Sequence, residues 1–245
     1  MEDWIPTAIA LVVLVAIGTA ALTLGRIRSP WMFAAAMARA VVQLAALSLV
    51  LTGIIQSPLW VGVGLGVMFI AAVGTAAGRS RAGWRGLPRL AAAMVAGPLL
   101  VGVIAFGFGA IEFSPRYVLA LGGIVIGNTM TIAVLSGRVF RGTVLDHWDE
   151  VEGWLALGAT PRVSTALLAR QAIATSLLPS VDQTRTTGIV VLPGAFIGAV
   201  FAGASPLEAG RFQLIVLAAI LAAGAITATL LVAVFTTVTQ RPRAL

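Results

Sequence analysis

The residues best suited to chemistry lie together in one acidic stretch, Asp146–Glu152. It holds the only histidine, His147, beside four of the nine carboxylates in a chain that has no cysteine. A metal site is one interpretation of this pattern. Neighbouring side chains on a helix point apart, however, so the four carboxylates cannot converge on one ion. A solvated amphipathic helix is the favoured interpretation. The lack of cysteine excludes a thiolate metal site and a cysteine nucleophile.

A second pattern follows directly and ends at a Thr160-Pro161 pair. Glu152 and Gly158 are separated by a short apolar stripe. Glycine ends helices by adopting a left-handed conformation, and Thr-Pro can cap and begin the next helix. The stretch therefore predicts a short helix, a sharp turn and a second helix, with an apolar face suited to a groove on a partner. The residues expected to carry this docking are Glu152, Trp154, Leu157, Gly158 and Pro161.

Polar and helix-breaking residues within the apolar stretches form a third group. Intramembrane polar groups are costly and tend to be functional, and broken helices line substrate sites in transporters. For Asn128 an interhelical hydrogen bond is slightly favoured over substrate contact. For Asp182 and Arg185 a structural ion pair and a gating role stay equally open. The candidates for a translocation path or gate are Asn128, Met130, Asp182, Thr184, Arg185, Pro193 and Gly194.

The elements that must hold these residues are membrane helices. Of the 245 residues, 59% are hydrophobic and only 10% are charged, which predicts an all-α integral membrane protein with one transmembrane domain over residues 1–245. The net charge of +7 does not indicate a nucleic-acid partner, because the arginines lie between apolar stretches. Glu2 and Asp3 make the leading segment acidic, so we expect Trp4–Gly25 to be a retained helix and not a signal peptide.

About seven stretches have the length of roughly 20 residues that a helix needs to cross a bilayer. Gln56–Pro58 divides the uncharged run Ala40–Gly78 into a hairpin. The G-x-x-x-G spacings at Gly123 and Gly127, and at Gly194 and Gly198, predict close helix packing. The predicted spans are Pro6–Gly25, the two arms of the hairpin, Leu90–Ala110, Tyr117–Ser136, Thr187–Gly203 and Phe212–Val238.

The arginines indicate the orientation of these helices. Basic links alternate with links of low positive charge along the whole chain. Because arginine and lysine concentrate in cytoplasmic loops, the N-terminus is predicted outside and the C-terminus in the cytoplasm. The longest basic segment, at about residues 137–186, is then cytoplasmic and holds the predicted docking helix between helices five and six. We expect a multi-pass protein of the inner (plasma) membrane.

The chain lacks the parts of a motor or an enzyme. All 16 basic residues are arginine, and a P-loop needs a lysine to reach nucleotide phosphates. The histidine lies in a loop and no Ser-His or metal-ligand set converges within the helices, so no enzymatic activity and no cofactor are expected. A secondary transporter driven by an ion gradient, and a non-transporting scaffold or sensor, remain alternatives. The first predicts paired charges deep in the helices or an inverted repeat.

The docking pattern resembles the EAA-type coupling loop of ABC-transporter permeases, where an acidic residue and a glycine have this separation. With further blocks in the second half, the chain resembles the FetB-type permease family. These blocks are Gly127–Met130, Leu178–Gly188, Leu192–Gly194, Gly203–Ala209 and Arg211–Gln213.

The resemblance implies the membrane subunit of an ABC transporter that exports iron or another metal ion. It implies a homodimer in the bilayer with a separate ABC ATPase subunit. One departure bears on the substrate. After Leu-Pro-Gly the family usually has two methionines and then Thr-Gly-Gln, whereas this chain has Ala195, Phe196, Ile197, Gly198 and Ala199. Without the soft thioethers, direct metal contact at this site is placed in doubt.

Overall fold

The protein is all-α in its computed structural model. The structure describes residues 4–54, 57–80 and 83–242, so Glu2, Asp3, Gln56, Arg81 and Arg243 lie outside it. The helices over these residues are α1 (Trp4–Leu24), α2 (Met32–Ile54), α3 (Pro58–Ser80), α4 (Gly83–Gly107), α5 (Pro115–Asp146), α6 (Trp148–Ala156), α7 (Pro161–Ser164), α8 (Ala166–Thr186), α9 (Gly194–Phe201) and α10 (Pro206–Phe235).

Several of these helices have the dimensions of membrane spans. Within the described residues, α1, α3, α4, α5 and α10 are long and apolar enough to cross a bilayer about 30 Å thick. Helix α2 is apolar over Met32–Ser48. The prediction of an all-helical, multi-pass membrane protein is confirmed, while the count of seven passes and their orientation stay predictions.

The predicted sixth span, Thr187–Gly203, does not form as one helix. A turn occupies Thr187–Val191, where Gly188 has a φ of +87° and its N–H donates to the Val191 carbonyl at 2.9 Å. Pro193 then caps α9, which has eight residues and is about 12 Å long. The apolar composition predicted a span, but glycine in a left-handed conformation and proline without an N–H interrupt the hydrogen-bond ladder. The predicted break at Pro193-Gly194 is confirmed.

The polar segment after the predicted fifth span is also more regular than expected. Helix α5 continues ten residues past Ser136, because Phe140 and Val144 give its extension a buried face. Leu168 and Ala169 of α8 pack in the same apolar cluster, and the hydroxyls of Ser136 and Ser176 lie 2.9 Å apart. Helix α8 therefore runs antiparallel to α5 and is not a surface loop.

The described residues form two compact units, and the first contains α1 and α2. These helices make a hairpin in which Gly18 faces the ring of Phe33: a Cβ at Gly18 would lie 2.6 Å from the nearest ring carbon. No residue of α1 is buried. An apolar helix without a buried face is suited to lipid, which solvates apolar side chains as well as a protein core does.

The second unit contains α3–α10 and is organised around α10, which packs against α4, α5, α8 and α9. Glycine permits the closest approaches. A Cβ at Gly97 of α4 would lie 2.6 Å from the Ala223 carbonyl oxygen, and a Cβ at Gly224 would overlap Ile132 of α5. Of the predicted G-x-x-x-G positions only Gly123 packs closely, since its added Cβ would lie 3.3 Å from Met68 Cε of α3. An added Cβ at Gly127, Gly194 or Gly198 meets nothing within 4 Å.

Candidate functional site

The short helix α6 joins a buried face to an exposed one. Trp148 and Val151 are buried, and they pack with apolar residues of α5, α8 and α10 such as Val144, Leu168 and Val232. On the other side Trp154 is 49% exposed and Leu157, just after the helix, is 84% exposed. These two apolar side chains lie at the exposed end of a helix whose opposite end is anchored in the bundle. We call Trp154 and Leu157 the docking face.

A defined turn ends α6. Gly158 has a φ of +87°, its N–H donates to the Leu155 carbonyl, and the Ala159 N–H donates to the Trp154 carbonyl, both at 3.0 Å. These two bonds are those of the Schellman motif, in which glycine occupies the left-handed position. The turn predicted from Gly158 is therefore confirmed as local geometry.

The second helix after the turn begins as predicted at Pro161, but it is short. Helix α7 has four residues, and Thr160 stands at its N-cap without a capping hydrogen bond from its side chain. Instead the hydroxyls of Ser164 and Thr165 donate back to the Pro161 carbonyl, at 3.0 and 2.7 Å. Such back-bonding satisfies the hydroxyls locally where α7 gives way to α8.

Glu152 has a partner that the sequence pattern did not indicate. The indole N–H of Trp148 donates to its carboxylate at 3.0 Å. The spacing of Trp148, Val151 and Leu155 is a helical apolar stripe that predicts a buried face. The side chains of Asp146, His147, Asp149 and Glu150 are exposed, and within the described chain no three His, Asp or Glu residues form a group that could hold a metal ion.

Helix α8 has one side packed and one side exposed, and the exposed side carries the apolar Leu167 and Leu178 as well as polar residues. Leu168, Ala169, Ala172 and Ser176 are buried against the bundle. Arg185 donates to Asp182 at 3.5 Å, which confirms the predicted pairing, and Thr184 donates to the Ser180 carbonyl at 2.8 Å. The exposed polar residues of α8 are Arg170, Gln171, Thr175, Asp182, Gln183 and Arg185.

The far end of α8 leaves the bundle. Leu177 still contacts the site of Gly224 in the central third of α10. Gln183 lies eleven residues after the fully buried Ala172, three helical turns on, and so on the same side of α8. It is nevertheless exposed. The packing therefore ends between these two levels, shortly before the break that precedes α9.

A cavity of about 680 Å³ lies beyond this break, between α9 and the first turns of α5 and α10. Ala195 and Ala199 line it from α9, and Tyr117 and Ile124 from α5. Its charged lining residues are Glu112, Arg116 and Glu208. Sequence reasoning missed these three, although the spacing of Ser205 and Glu208 is a capping-box signature. The Glu208 carboxylate accepts bonds from the Ser205 N–H and hydroxyl, at 3.0 and 2.8 Å.

The remaining candidates divide between two sides of α5. Asn128 lies eleven residues after Tyr117 and so on the side that lines the cavity. Its amide donates to the Ile124 carbonyl of its own helix at 2.9 Å, so the expected interhelical bond is not observed. Met130 packs against a cluster of α3 and α4 residues that includes Ala72 and Met94. The structure thus brings Asn128 towards α8 and α9 but leaves Met130 apart from them.

Comparisons with known proteins cover nearly the whole chain. A model described as "Uncharacterised protein family (UPF0014)" matches residues 5–239. The chain is 34% identical over 197 residues to the UPF0014 membrane protein STAR2 of Oryza sativa subsp. japonica, which covers 80% of this chain and 69% of that protein. No solved structure matches.

Two shorter matches lie within the same family of sequences. The chain is 40% identical over 105 residues to Protein ALUMINUM SENSITIVE 3 of Arabidopsis thaliana, covering 43% of this chain and 38% of that protein. It is 37% identical over 108 residues to the Probable iron export permease protein FetB of Escherichia coli (strain K12), covering 44% of this chain and 42% of that protein. Each of these two matches spans less than half of the relative.

Proposed function

The chain belongs to the UPF0014 family, and from this premise we propose that it is the membrane-spanning permease subunit of an ABC transporter. The predicted resemblance to FetB-type permeases is confirmed by the family match and by the relatives. The protein is a multi-pass membrane protein, and its relatives favour a transporter over an enzyme. The energy source, the path and the substrate are parts of the proposal.

The docking face is the observation that carries the proposal. Trp154 and Leu157 project from a helix whose other side is buried against α5, α8 and α10. A force applied to such a face reaches three long helices directly, because close-packed interiors transmit displacement. Glu152, Gly158 and Pro161 fix the shape of this coupling element. Its partner is a separate ATPase subunit, since a chain without lysine has no P-loop of its own.

The exposed polar residues of α8 support a translocation path. Leu177 contacts the site of a glycine in the central third of α10, so α8 lies at the depth of the apolar helices. Charged and amide side chains at this depth are costly in contact with lipid. In the proposal α8 and α9 together form the sixth of seven passes, with the N-terminus outside and the C-terminus in the cytoplasm. The cytoplasmic segment predicted at about residues 137–186 then ends before α8. The break at Pro193-Gly194, with Asp182, Thr184 and Arg185 before it, is the moving element.

A homodimer completes this arrangement. One chain presents one docking segment and one polar helix, which corresponds to half of a translocation unit. Two copies that face each other across their α8 helices shield the exposed polar residues of α8 from lipid. They enclose an aqueous path between them. Each copy then binds one ATPase subunit through its own docking face.

The proposed substrate is iron or another metal ion, or a small solute. A relative named as a probable iron export permease supports the metal. The two α9 residues that line the cavity are alanines, Ala195 and Ala199, so α9 contributes no ligand atom from these side chains. The carboxylates of Glu112 and Glu208 are the hard oxygen ligands at the same cavity. Export as the direction rests on the resemblance to the relative named as a probable iron export permease.

The test is co-purification and transport. The tagged chain is expressed with a P-loop ATPase of the same organism whose gene neighbours its own, and the purified complex is assayed for ATP hydrolysis and for metal efflux from vesicles. A stable complex with ATP-dependent efflux is expected. No bound ATPase, or efflux that is unaffected by removing the ATPase, contradicts the proposal.

A secondary transporter is the second candidate, because the Asp182–Arg185 pair lies on α8. Paired charges within the membrane are typical of ion-driven transport. This alternative predicts that the chain alone, reconstituted without any ATPase, moves substrate along an imposed ion gradient. The ABC proposal predicts no gradient-driven movement in that preparation.

A further inference from the structure

The inference concerns how the docking helix is held. Helix α6 has nine residues, and helices of this length are marginal in water without tertiary support. Its support is the side formed by Trp148 and Val151, which pack with residues of α5, α8 and α10. Loss of this attachment would leave the docking face free to move without displacing the long helices.

The attachment includes one polar group that must be satisfied. Trp148 is only 8% exposed, and the indole N–H of a buried tryptophan needs an acceptor. Glu152 is four residues on, and therefore on the same side of the helix. Its Oε2 accepts the indole N–H at 3.0 Å.

We propose that Glu152 is a positioning residue: by accepting the indole N–H of Trp148 within α6, its exposed carboxylate holds that ring in the orientation that packs against α5, α8 and α10. Glu152 then acts within its own chain, by keeping α6 attached to the long helices. The relevance of this role to coupling rests on the proposed function. The hydrogen bond between Trp148 and Glu152 lies within the chain, so its effect on α6 is tested without a partner protein.

The experiment measures the mobility of α6. The chain has no cysteine, so a single Ala156→Cys variant, exposed on α6, takes one nitroxide label in the full-length protein. Electron paramagnetic resonance compares Glu152→Ala, Glu152→Gln and Trp148→Phe in this background. Glu150→Ala is the matched control, because it removes an exposed carboxylate from the same helix. Glutamine keeps an acceptor oxygen but no charge, and phenylalanine keeps a ring but no N–H.

We expect a mobile fraction larger by on the order of tenfold in Glu152→Ala, and no further increase when Glu152→Ala is added to Trp148→Phe, whose ring has no N–H to satisfy. Glu152→Gln and Glu150→Ala should match the parent protein. Equal mobility in Glu152→Ala and the parent overturns the proposal, as does equal loosening in Glu152→Gln and Glu152→Ala. A clear increase on adding Glu152→Ala to Trp148→Phe also overturns it. A failure of the ATPase to bind would leave these results unchanged, and would contradict only the proposed function.

Discussion

Gly97 of α4 packs its backbone directly on the backbone of Ala223 in α10. A Cβ at Gly97 would lie 2.6 Å from the Ala223 carbonyl oxygen and 2.9 Å from its Cα. Backbone atoms in two regular helices cannot move aside as a flexible side chain can. The crossing of α4 and α10 therefore depends on the absence of a side chain at one position.

Replacing Gly97 with alanine is expected to destabilise the protein by about 1–3 kcal/mol, the usual cost of overpacking. Alanine is the better helix former by up to about 1 kcal/mol, so the measured change is the difference between the two effects. The midpoint of thermal unfolding in detergent measures it. Gly102→Ala in the same helix is the control, because its added Cβ meets nothing within 4 Å. A Gly97→Ala protein as stable as Gly102→Ala would show that the helices can separate at no cost.

Leu157→Glu is expected to abolish binding of the ATPase subunit while leaving the chain folded. The side chain is 84% exposed, so a charge there is tolerated in water but not in an apolar groove. Leu207→Glu is the matched control, since Leu207 is 85% exposed in the first turn of α10 and outside the docking face. Pull-down with a tagged ATPase measures both variants. Equal binding by the two would rule out Leu157 as a contact.

Gly158→Ala is expected to uncouple ATP hydrolysis from transport. Gly158 has a φ of +87°, and a non-glycine residue in a left-handed conformation costs about 1–2 kcal/mol. The variant therefore shifts the turn and redirects Leu157. Gly153→Ala lies within α6 with open space around its Cβ and should leave coupling intact. The ratio of substrate moved to ATP hydrolysed is the measurement.

Gly158→Asn extends this test, because asparagine tolerates the left-handed region better than alanine does. It should recover part of the coupling that Gly158→Ala loses. If alanine and asparagine were equally defective, the requirement would be for a small residue at a contact, and the turn geometry would not explain it.

The end of α8 that lies beyond its packed part is expected to face water at membrane depth. A single cysteine at Gln183 should react with a membrane-impermeant maleimide, since the reactive thiolate forms in water. Val103→Cys is the control, because Val103 lies at the same level along α10 as Gln183. Gln183 lies six residues after Leu177, which contacts the site of Gly224 in α10. Val103 lies six residues after Gly97, which packs on Ala223, the residue of α10 next to Gly224. Val103 is exposed on an apolar helix. Labelling of Val103→Cys as rapid as that of Gln183→Cys would contradict a path along α8.

Local chemistry made the docking segment predictable. The helix end at Gly158 and the start at Pro161 follow from what glycine and proline permit in their own backbones. The Asp182–Arg185 pair follows from helical spacing alone. For the same reason the turn before Pro193 could be expected, although the apolar composition of Thr187–Gly203 predicted a continuous span. Composition reports how well a segment tolerates lipid and does not report how its backbone is bonded.

The sequence by itself determined that the chain is a helical membrane protein, where its helices are apolar, and which residues break them. Only the tertiary structure decided that α8 returns along α5 and α10, that Gly97 and not Gly127 is the close contact, and that Trp148 bonds to Glu152 from a buried face. These outcomes depend on which helix faces meet. The packing of two helix faces is stabilised by many weak contacts between residues far apart in the chain. A local sequence pattern does not contain that information.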